Sequence, residues 1–280
     1  MFFACKLSKF NPINLKKSKR TPFWRISGAQ LNGISYLLGT MHVKPLEKKH
    51  NWQERYLNYI DLCEIFATEI PLDKIDVTLL GKSSQLEEEQ LISNLLSTSQ
   101  FNKLEKKLQK SLGLPLRSMV RMKPIMIVNL INEQLLADCN PVSMDKCLWQ
   151  AAKQKGKILR GIETFEEQIA LLERIPIKYQ LKNLLSIVKN IGKYKRQLLH
   201  LAELYDTGDI QKLHKIAKKG LGPIRKFMLK DRNEVMANRI IALAIEQPLF
   251  CAIGAGHLAG KSGILRLLKQ QGLTIKPINF

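Results

Sequence analysis

Leu249-Phe-Cys-Ala-Ile-Gly-Ala-Gly-His257 decides the fold. An apolar run meets Gly254 and Gly256, and His257 follows at once. A short apolar run closed by glycine reads as a buried strand, and glycine permits the tight backbone needed at its end. Outward toward the C-terminus, Ile264–Gln271 reads as a helix capped by Gly272, and Leu273–Ile278 as a last strand. The pattern recurs near the other end. Ser35-Tyr-Leu-Leu-Gly-Thr-Met-His42 is again a strand (Ser35–Leu38), a glycine turn and a histidine. Phe23–Ser27 is a further strand, and the intervening Asn32-Gly33 is a hairpin signal.

Between these ends, Asp61–Ile70 is an apolar run closed by Pro71, whose second half reads as a strand with Glu69 at its end. Residues 80–150 read as helical, with Leu91, Leu95, Leu96, Leu104 and Leu108 at helical spacing and breaks at Pro115 and Pro124. Met144–Lys155 is a helix with Ser143 as N-cap and Gly156 behind it. Lys157–Ile162 is a short strand, and Thr164 with Glu167 forms a capping box opening the next helix. Tyr179–Leu204 reads as one long amphipathic helix, followed by helices over Asp209–Lys219 and Ile224–Glu246. The spacing therefore predicts an α/β protein: a central mixed β-sheet assembled from both chain ends, flanked by helices, with a helical middle as insertion or lid. Residues 1–20 read as a basic, flexible N-terminus, and 21–280 as a single domain, mainly helical over 80–150 and 178–246.

With 280 residues and 45% hydrophobic content, the chain can bury a full core. The formal charge of +21 attracts polyanions. The basic residues are spread along the chain, however, without a basic aromatic-interleaved run or zinc-finger spacing, so nucleic acid is not expected as partner. Five cysteines without a Cys-x-x-Cys pair argue against a disulfide framework and a structural zinc site, and Cys63 and Cys251, in apolar runs, read as buried. Met1–Cys5 is the only apolar part of the N-terminus, and no stretch approaches a membrane span. A soluble, reducing, cytoplasmic setting is expected, with a basic tail lying on an anionic membrane as the other placement.

Two histidines presented at strand ends can bind a metal through neutral nitrogens or act as acid and base, and strand C-terminal ends are where α/β proteins place ligands. Glu69 and Glu163 follow strands in the same way, and either could ligate a divalent cation or act as general base toward water. Asp145 lies in the first turn of its helix, where the macrodipole alone would account for it. Arg232 and Asn233 could clamp an anionic intermediate, although spacing alone reads them as a solvated helix face. Gly39, Thr40, Gly254 and Gly256 supply the turns that would contact a ligand. Ala255-Gly-His-Leu-Ala-Gly-Lys-Ser262 fits a relaxed P-loop pattern, but only eighteen residues follow it, too few for the strands that carry a magnesium-coordinating acid. His50, His200 and His214 lack evident partners and read as surface or packing residues.

At these residues the chain resembles the TraB/GumN family, relatives of the TIKI proteins within an erythromycin-esterase- and ChaN-like group. The resemblance runs from Phe23 to Ile278. It rests on Trp24-Arg-Ile, Ser35–His42, Glu69, Met144-Asp145, Gly161-Ile-Glu163-Thr164, Glu166-Glu-Gln168, Arg232-Asn233 with Met236, and Gly254-Ala-Gly-His257-Leu-Ala-Gly260 with Gly263 and Leu267-Leu268. It implies a bacterial type of protein whose two Gly-x-x-His motifs and an acid form the active site of a divalent-metal-dependent protease without a His-Glu-x-x-His helix. On that reading His42, His257, Glu69 and Asp145 hold manganese, cobalt or zinc, and Glu69, Glu163, Arg232 and Asn233 carry the chemistry. The substrate class is a peptide or small molecule. The alternative is a non-catalytic binding protein that sequesters a peptide or haem-like ligand, or docks on an acidic partner.

Overall fold

A computed structural model of the chain describes residues 20–41, 44–45, 53–137 and 141–279. The residues expected to form a basic N-terminal tail lie outside the described residues, Arg20 excepted.

The strands are apolar on both sides because both sides are covered. In β1 (Phe23–Ser27) and β2 (Ser35–Thr40), Trp24, Ile26 and Leu37 face one core, while Phe23, Tyr36 and Leu38 face another. After the two-residue β3 (Lys44–Pro45) and helix α1 (Glu54–Asp61), β4 (Ile65–Thr68) repeats the alternation: Ile65 and Ala67 on one side, Phe66 on the other. Period-two alternation with apolar residues on both faces is what a sheet sandwiched between helices requires.

The chain then leaves the sheet for a helical layer: α2 (Val77–Ser83), α3 (Ile92–Leu95), α4 (Thr98–Leu112) and α5 (Pro124–Leu136). After the short β5 (Pro141–Val142), which pairs with β3, α6 (Met144–Gln154) returns to the sheet with Ser143 Oγ accepting from the Lys146 N–H, as the N-cap pattern requires. Next come β6 (Ile158–Gly161), α7 (Phe165–Glu173), α8 (Ile177–Lys189), α9 (Ile191–Asp206), α10 (Ile210–Leu221) and α11 (Arg232–Glu246). The last elements are β7 (Leu249–Gly254), α12 (Ile264–Gln270) and β8 (Thr274–Pro277).

The six main strands order as β6-β4-β7-β2-β1-β8. The first four are mutually parallel, with Thr40 opposite Gly254, Thr68 opposite Ala252, and Thr68 opposite Gly161. β1 is antiparallel to β2 through the expected hairpin and also to β8, so the sheet is mixed and is built from both chain ends. Helices α11 and α12 cover one face through Met236, Ala237, Ile240, Ile264 and Leu268. The other face is covered by α1 and α6, with Trp149 at the centre, and by Tyr205 and Leu213. The inserted helices have a core of their own, including Leu104, Leu108, Ile127, Ile131, Leu184 and Val188.

Two expectations need correction. The single helix over Tyr179–Leu204 is two helices, broken at Asn190, whose backbone leaves the helical region at φ −144° and ψ 70°. The apolar stripe runs through the break and hides it, but the Asn190 side chain accepts from the Lys193 N–H at 3.0 Å and starts α9 as an N-cap. The helix expected over Ile224–Glu246 begins with a 3₁₀ turn at Gly222–Ile224 and a π-helical segment, Lys226–Asp231, and becomes α-helical only at Arg232.

The capping box of α7 leads to a pH dependence. Glu167 accepts from the Thr164 N–H at 2.8 Å and makes a two-point ion pair with Arg239 at 2.6 and 2.7 Å. The Arg239 hydrogen bonds hold its carboxyl down to about 2, from 4.5. A depressed carboxyl contributes stability that is present above its unfolded value and drains away as pH falls toward the folded one. Wild type is therefore expected to exceed Glu167→Gln in unfolding free energy at pH 6, with the difference closing between about pH 4.5 and about pH 2. Chemical denaturation at several pH values checks this; a difference that does not change with pH would refute it.

Candidate functional site at the end of four parallel strands

The four parallel strands all end at one edge of the sheet, and acidic and histidine side chains follow three of them. β4 is succeeded by Glu69, β6 by Glu163 two residues on, and β7 by the 3₁₀ turn Ala255–His257. In such sheets the C-terminal edge is where ligands bind. Glu69, Glu163 and His257 are each buried there, with 8%, 5% and 6% of their surface exposed.

Arg232, at the start of α11, joins the acids. Its Nε donates to Glu163 Oε1 at 2.9 Å, and its Nη2 donates to both Glu163 Oε2 and Glu69 Oε2, the latter at 2.8 Å. Gln168, one turn into α7, donates to the same two carboxylates at 3.2 and 3.3 Å. Burial works against the Arg232 charge, but the hydrogen bonds and charges of Glu163 and Glu69 more than offset it, so the guanidinium titrates above its ordinary range. The other Glu69 oxygen, Oε1, accepts the Gly254 N–H at 2.8 Å. A Cβ at Gly254 would stand 2.9 Å from that oxygen, so glycine is what lets the carboxylate rest on the strand end.

Asn233 sets the state of His257. Its Nδ2 donates to the Ser262 carbonyl at 2.7 Å and to the His257 carbonyl at 3.4 Å, which orients the amide. Its Oδ1 therefore faces His257 Nδ1, at 2.5 Å, as an acceptor, and Nδ1 carries the proton. The lone pair is left on Nε2, which lies 3.8 Å from Glu69 Oε1 and 3.5 Å from Arg232 Nη1. Neither Arg232 nor Asn233 is on a solvated helix face. Arg232 spends Nε and Nη2 on the carboxylates and keeps Nη1 toward His257, and Asn233 is fully buried.

The described part of the first turn lies beside the second through the β2–β7 pairing. Thr40 Oγ1 donates to Asp145 Oδ1 at 2.7 Å, and the Asp145 side chain is buried, so it does more than complement a helix dipole. Gly39 is buried and gives its carbonyl to the Tyr205 hydroxyl at 2.6 Å. Burial first, and then Tyr56 and Asp145, push the Tyr205 phenol well above its usual value, which keeps it a donor. His42 lies outside the described residues, as does His50. Of the histidines read as lacking partners, His200 is exposed beside Glu203, whereas His214 is buried with its Nδ1 2.9 Å from the Gly256 carbonyl, directly behind the second turn. Cys63 and Cys251 are buried as expected, and burial pushes the Cys63 thiol up to about 12.

A cleft of about 870 Å³ opens over this edge. Its floor is Thr40, Glu69, Arg232, Gly254, Gly256 and His257; its walls are largely apolar, from Leu198 and Leu201 of α9, Leu213, Ile216 and Ala217 of α10, and Leu229. Glu163 is not among the cleft-lining residues; with Arg232 it lines a smaller cavity of about 280 Å³ that also touches Arg174 and Phe227. Gln168, His214 and Tyr205 were missed as site-supporting residues by sequence reading, since each acts from a helix whose face only the fold reveals.

The model of the TraB/PrgY/gumN family matches residues 22–277. Among curated proteins, the chain is similar to Metalloprotease TIKI1 of Danio rerio, 24% identical over 309 aligned positions that cover 86% of this chain. The chain spans 60% of that relative's length. No solved structure matches.

Proposed function

The chain belongs to the TraB/PrgY/gumN family, and on that premise we propose that it is a divalent-metal-dependent, peptidase-like hydrolase working at the cleft floor. The reading is carried by one observation: Asn233 fixes the proton of His257 on Nδ1 and so presents the Nε2 lone pair 3.8 Å from a carboxylate oxygen of Glu69. A neutral imidazole nitrogen and a carboxylate oxygen are donors that manganese, cobalt and zinc accept. Among the described residues no group of three or more such side chains is present. The proposed further ligands are therefore His42, two residues beyond Thr40 in the sequence and outside the described residues, and Asp145, held by Thr40. That the TIKI1 relative is called a metalloprotease is in line with this reading.

When bound, a divalent ion supplies Lewis acidity toward a scissile carbonyl and toward water. The residues of the chain do the rest. Glu69 lines the cleft and is the candidate to accept a proton from the attacking water. Glu163 stays behind it and, through Arg232, keeps the Glu69 carboxylate from turning away. Arg232 lines the cleft with its Nη1 3.5 Å from His257 Nε2, and is the candidate to meet a developing negative charge. Asn233 acts through His257 as a positioning residue.

The test is metal content after purification without added metal. Wild type is expected to retain a divalent ion, and His257→Ala and His42→Ala are expected to lose it while keeping the wild-type circular dichroism. Equal metal in all three samples would sink the metal-site reading. The apolar walls also favour a second reading, a protein that only holds a ligand in this cleft; that reading is excluded if peptide cleavage is observed and depends on Glu69.

A further inference from the structure

About half of the net charge falls in one segment of the chain. Between Arg174 and Asp231, fourteen basic side chains stand against four acidic ones, a net +10 within a total of +21. This segment contains α9, α10 and the π-helical turn, the elements that wall the cleft.

Each wall helix carries exposed basic side chains. On α9, Lys193 and Arg196 share one exposed face with Gln197 and with His200, which lies 3.3 Å from Glu203; His200 and Gln197 reach the cleft. On α10, Lys212, Lys215 and Lys219 share an exposed face, Lys212 pairing with Asp209 at 3.5 Å and Lys219 lining the cleft. Ile216, 37% exposed, sits in the middle of that basic row. The two helices pack together across the turn at Thr207–Asp209. Each row is about 10 Å long at 1.5 Å per residue.

A single carboxylate would need one or two of these charges. Exposed cations on two neighbouring helices that wall an apolar cleft instead match many anionic groups set over an apolar layer. Single-stranded nucleic acid is held by rings on which bases stack; among the described cleft-lining residues Tyr194 is the one Phe, Tyr or Trp, and its hydroxyl donates to Asn132 Oδ1 at 2.9 Å. The exposed Ile216 adds an apolar contact among the lysines of α10. From this we infer that the two lips of the cleft form a docking surface for an anionic phospholipid bilayer, with the mouth of the cleft turned to the headgroups. The inference does not depend on the hydrolase reading, and its test involves no turnover.

The experiment is co-sedimentation of the full chain with phosphatidylcholine vesicles, with and without phosphatidylglycerol. Wild type is expected to pellet only with the anionic vesicles, and less so as salt rises. Each Lys or Arg near such a surface adds about fivefold in affinity. The variant Lys193→Glu/Arg196→Glu/Lys215→Glu is therefore expected to lose about 100-fold or more. These three side chains do not line the cleft. The matched control Lys103→Glu/Lys106→Glu/Lys110→Glu on α4 changes net charge equally and is expected to lose only a few-fold. Should the first variant fold poorly, Lys193→Gln/Arg196→Gln/Lys215→Gln is expected to lose about 100-fold by itself. Equal losses in lip and control variants, binding that ignores lipid charge, or capture of a polynucleotide in preference to the vesicles through the same three residues would each overturn the inference.

Discussion

Arg232→Met is expected to lower the unfolding free energy by about 3–5 kcal/mol, the largest stability loss of any single exchange at this site. Arg232 is the one cation that Glu69 and Glu163 share within hydrogen-bonding distance among the described residues, and all three side chains are at least nine-tenths buried. Methionine fills much of the volume but leaves two carboxylates facing each other without their guanidinium. The penalty then comes from buried charge without compensation, not from lost packing. Urea unfolding of a double comparison separates the two. Adding Glu69→Gln and Glu163→Gln to Arg232→Met is expected to restore most of the loss, because a site with the whole charged set removed is close to neutral in stability. If Arg232→Met unfolds within about 1 kcal/mol of wild type, the cluster is not the charge-balanced unit described above.

Glu69→Gln is expected to reduce peptide turnover by about two to four orders of magnitude with manganese, cobalt or zinc supplied, the range for loss of a general acid–base group. The exchange is mild structurally. Gln retains an oxygen for the Gly254 N–H, and Glu163 still holds Arg232 by two hydrogen bonds. Loss of activity with a near-native melting curve would therefore report chemistry. A peptide library read by mass spectrometry with both proteins side by side measures it. Cleavage that persists in Glu69→Gln would remove Glu69 from the role of base, and metal retention by that variant would show separately whether it was a ligand.

The strands were legible because their demand is simple. A strand covered on both faces must be apolar throughout and must end where the backbone turns, and Tyr36–Gly39 and Phe250–Gly254 state both conditions in a few letters. The caps at Ser143 and Thr164 were legible for the same reason: the signal and its hydrogen bond lie within three residues. What could not be read was set by longer range. Asn190 breaks α8 from α9 inside an uninterrupted leucine stripe, since periodicity records which side is apolar and not whether the axis bends. Arg232 and Asn233 looked like solvent-facing neighbours, since nothing local says that residues 163 positions and 24 positions away in sequence will meet them. Glu69 and Glu163 could be named as strand-end acids, but that a single guanidinium spans them depends on β4 and β6 being adjacent and on α7 bringing Gln168 over both.

The position of β7 has a consequence for how the molecule comes into being. It lies between β2 and β4, so the strands from the first quarter of the chain have no common neighbour until Leu249–Gly254 arrives. Everything synthesised earlier can form the β1–β2 hairpin, the β4–β6 pair, helices and the inserted core, but these two parts of the sheet cannot join until contacts some two hundred residues apart are made. Such long loops close slowly. The Gly254 amide that seats Glu69, the His257 ring and the cleft floor are thus created in the same event that finishes the fold. A chain interrupted before that strand contains the acids but no site, and any reactive centre exists only in molecules that have completed folding.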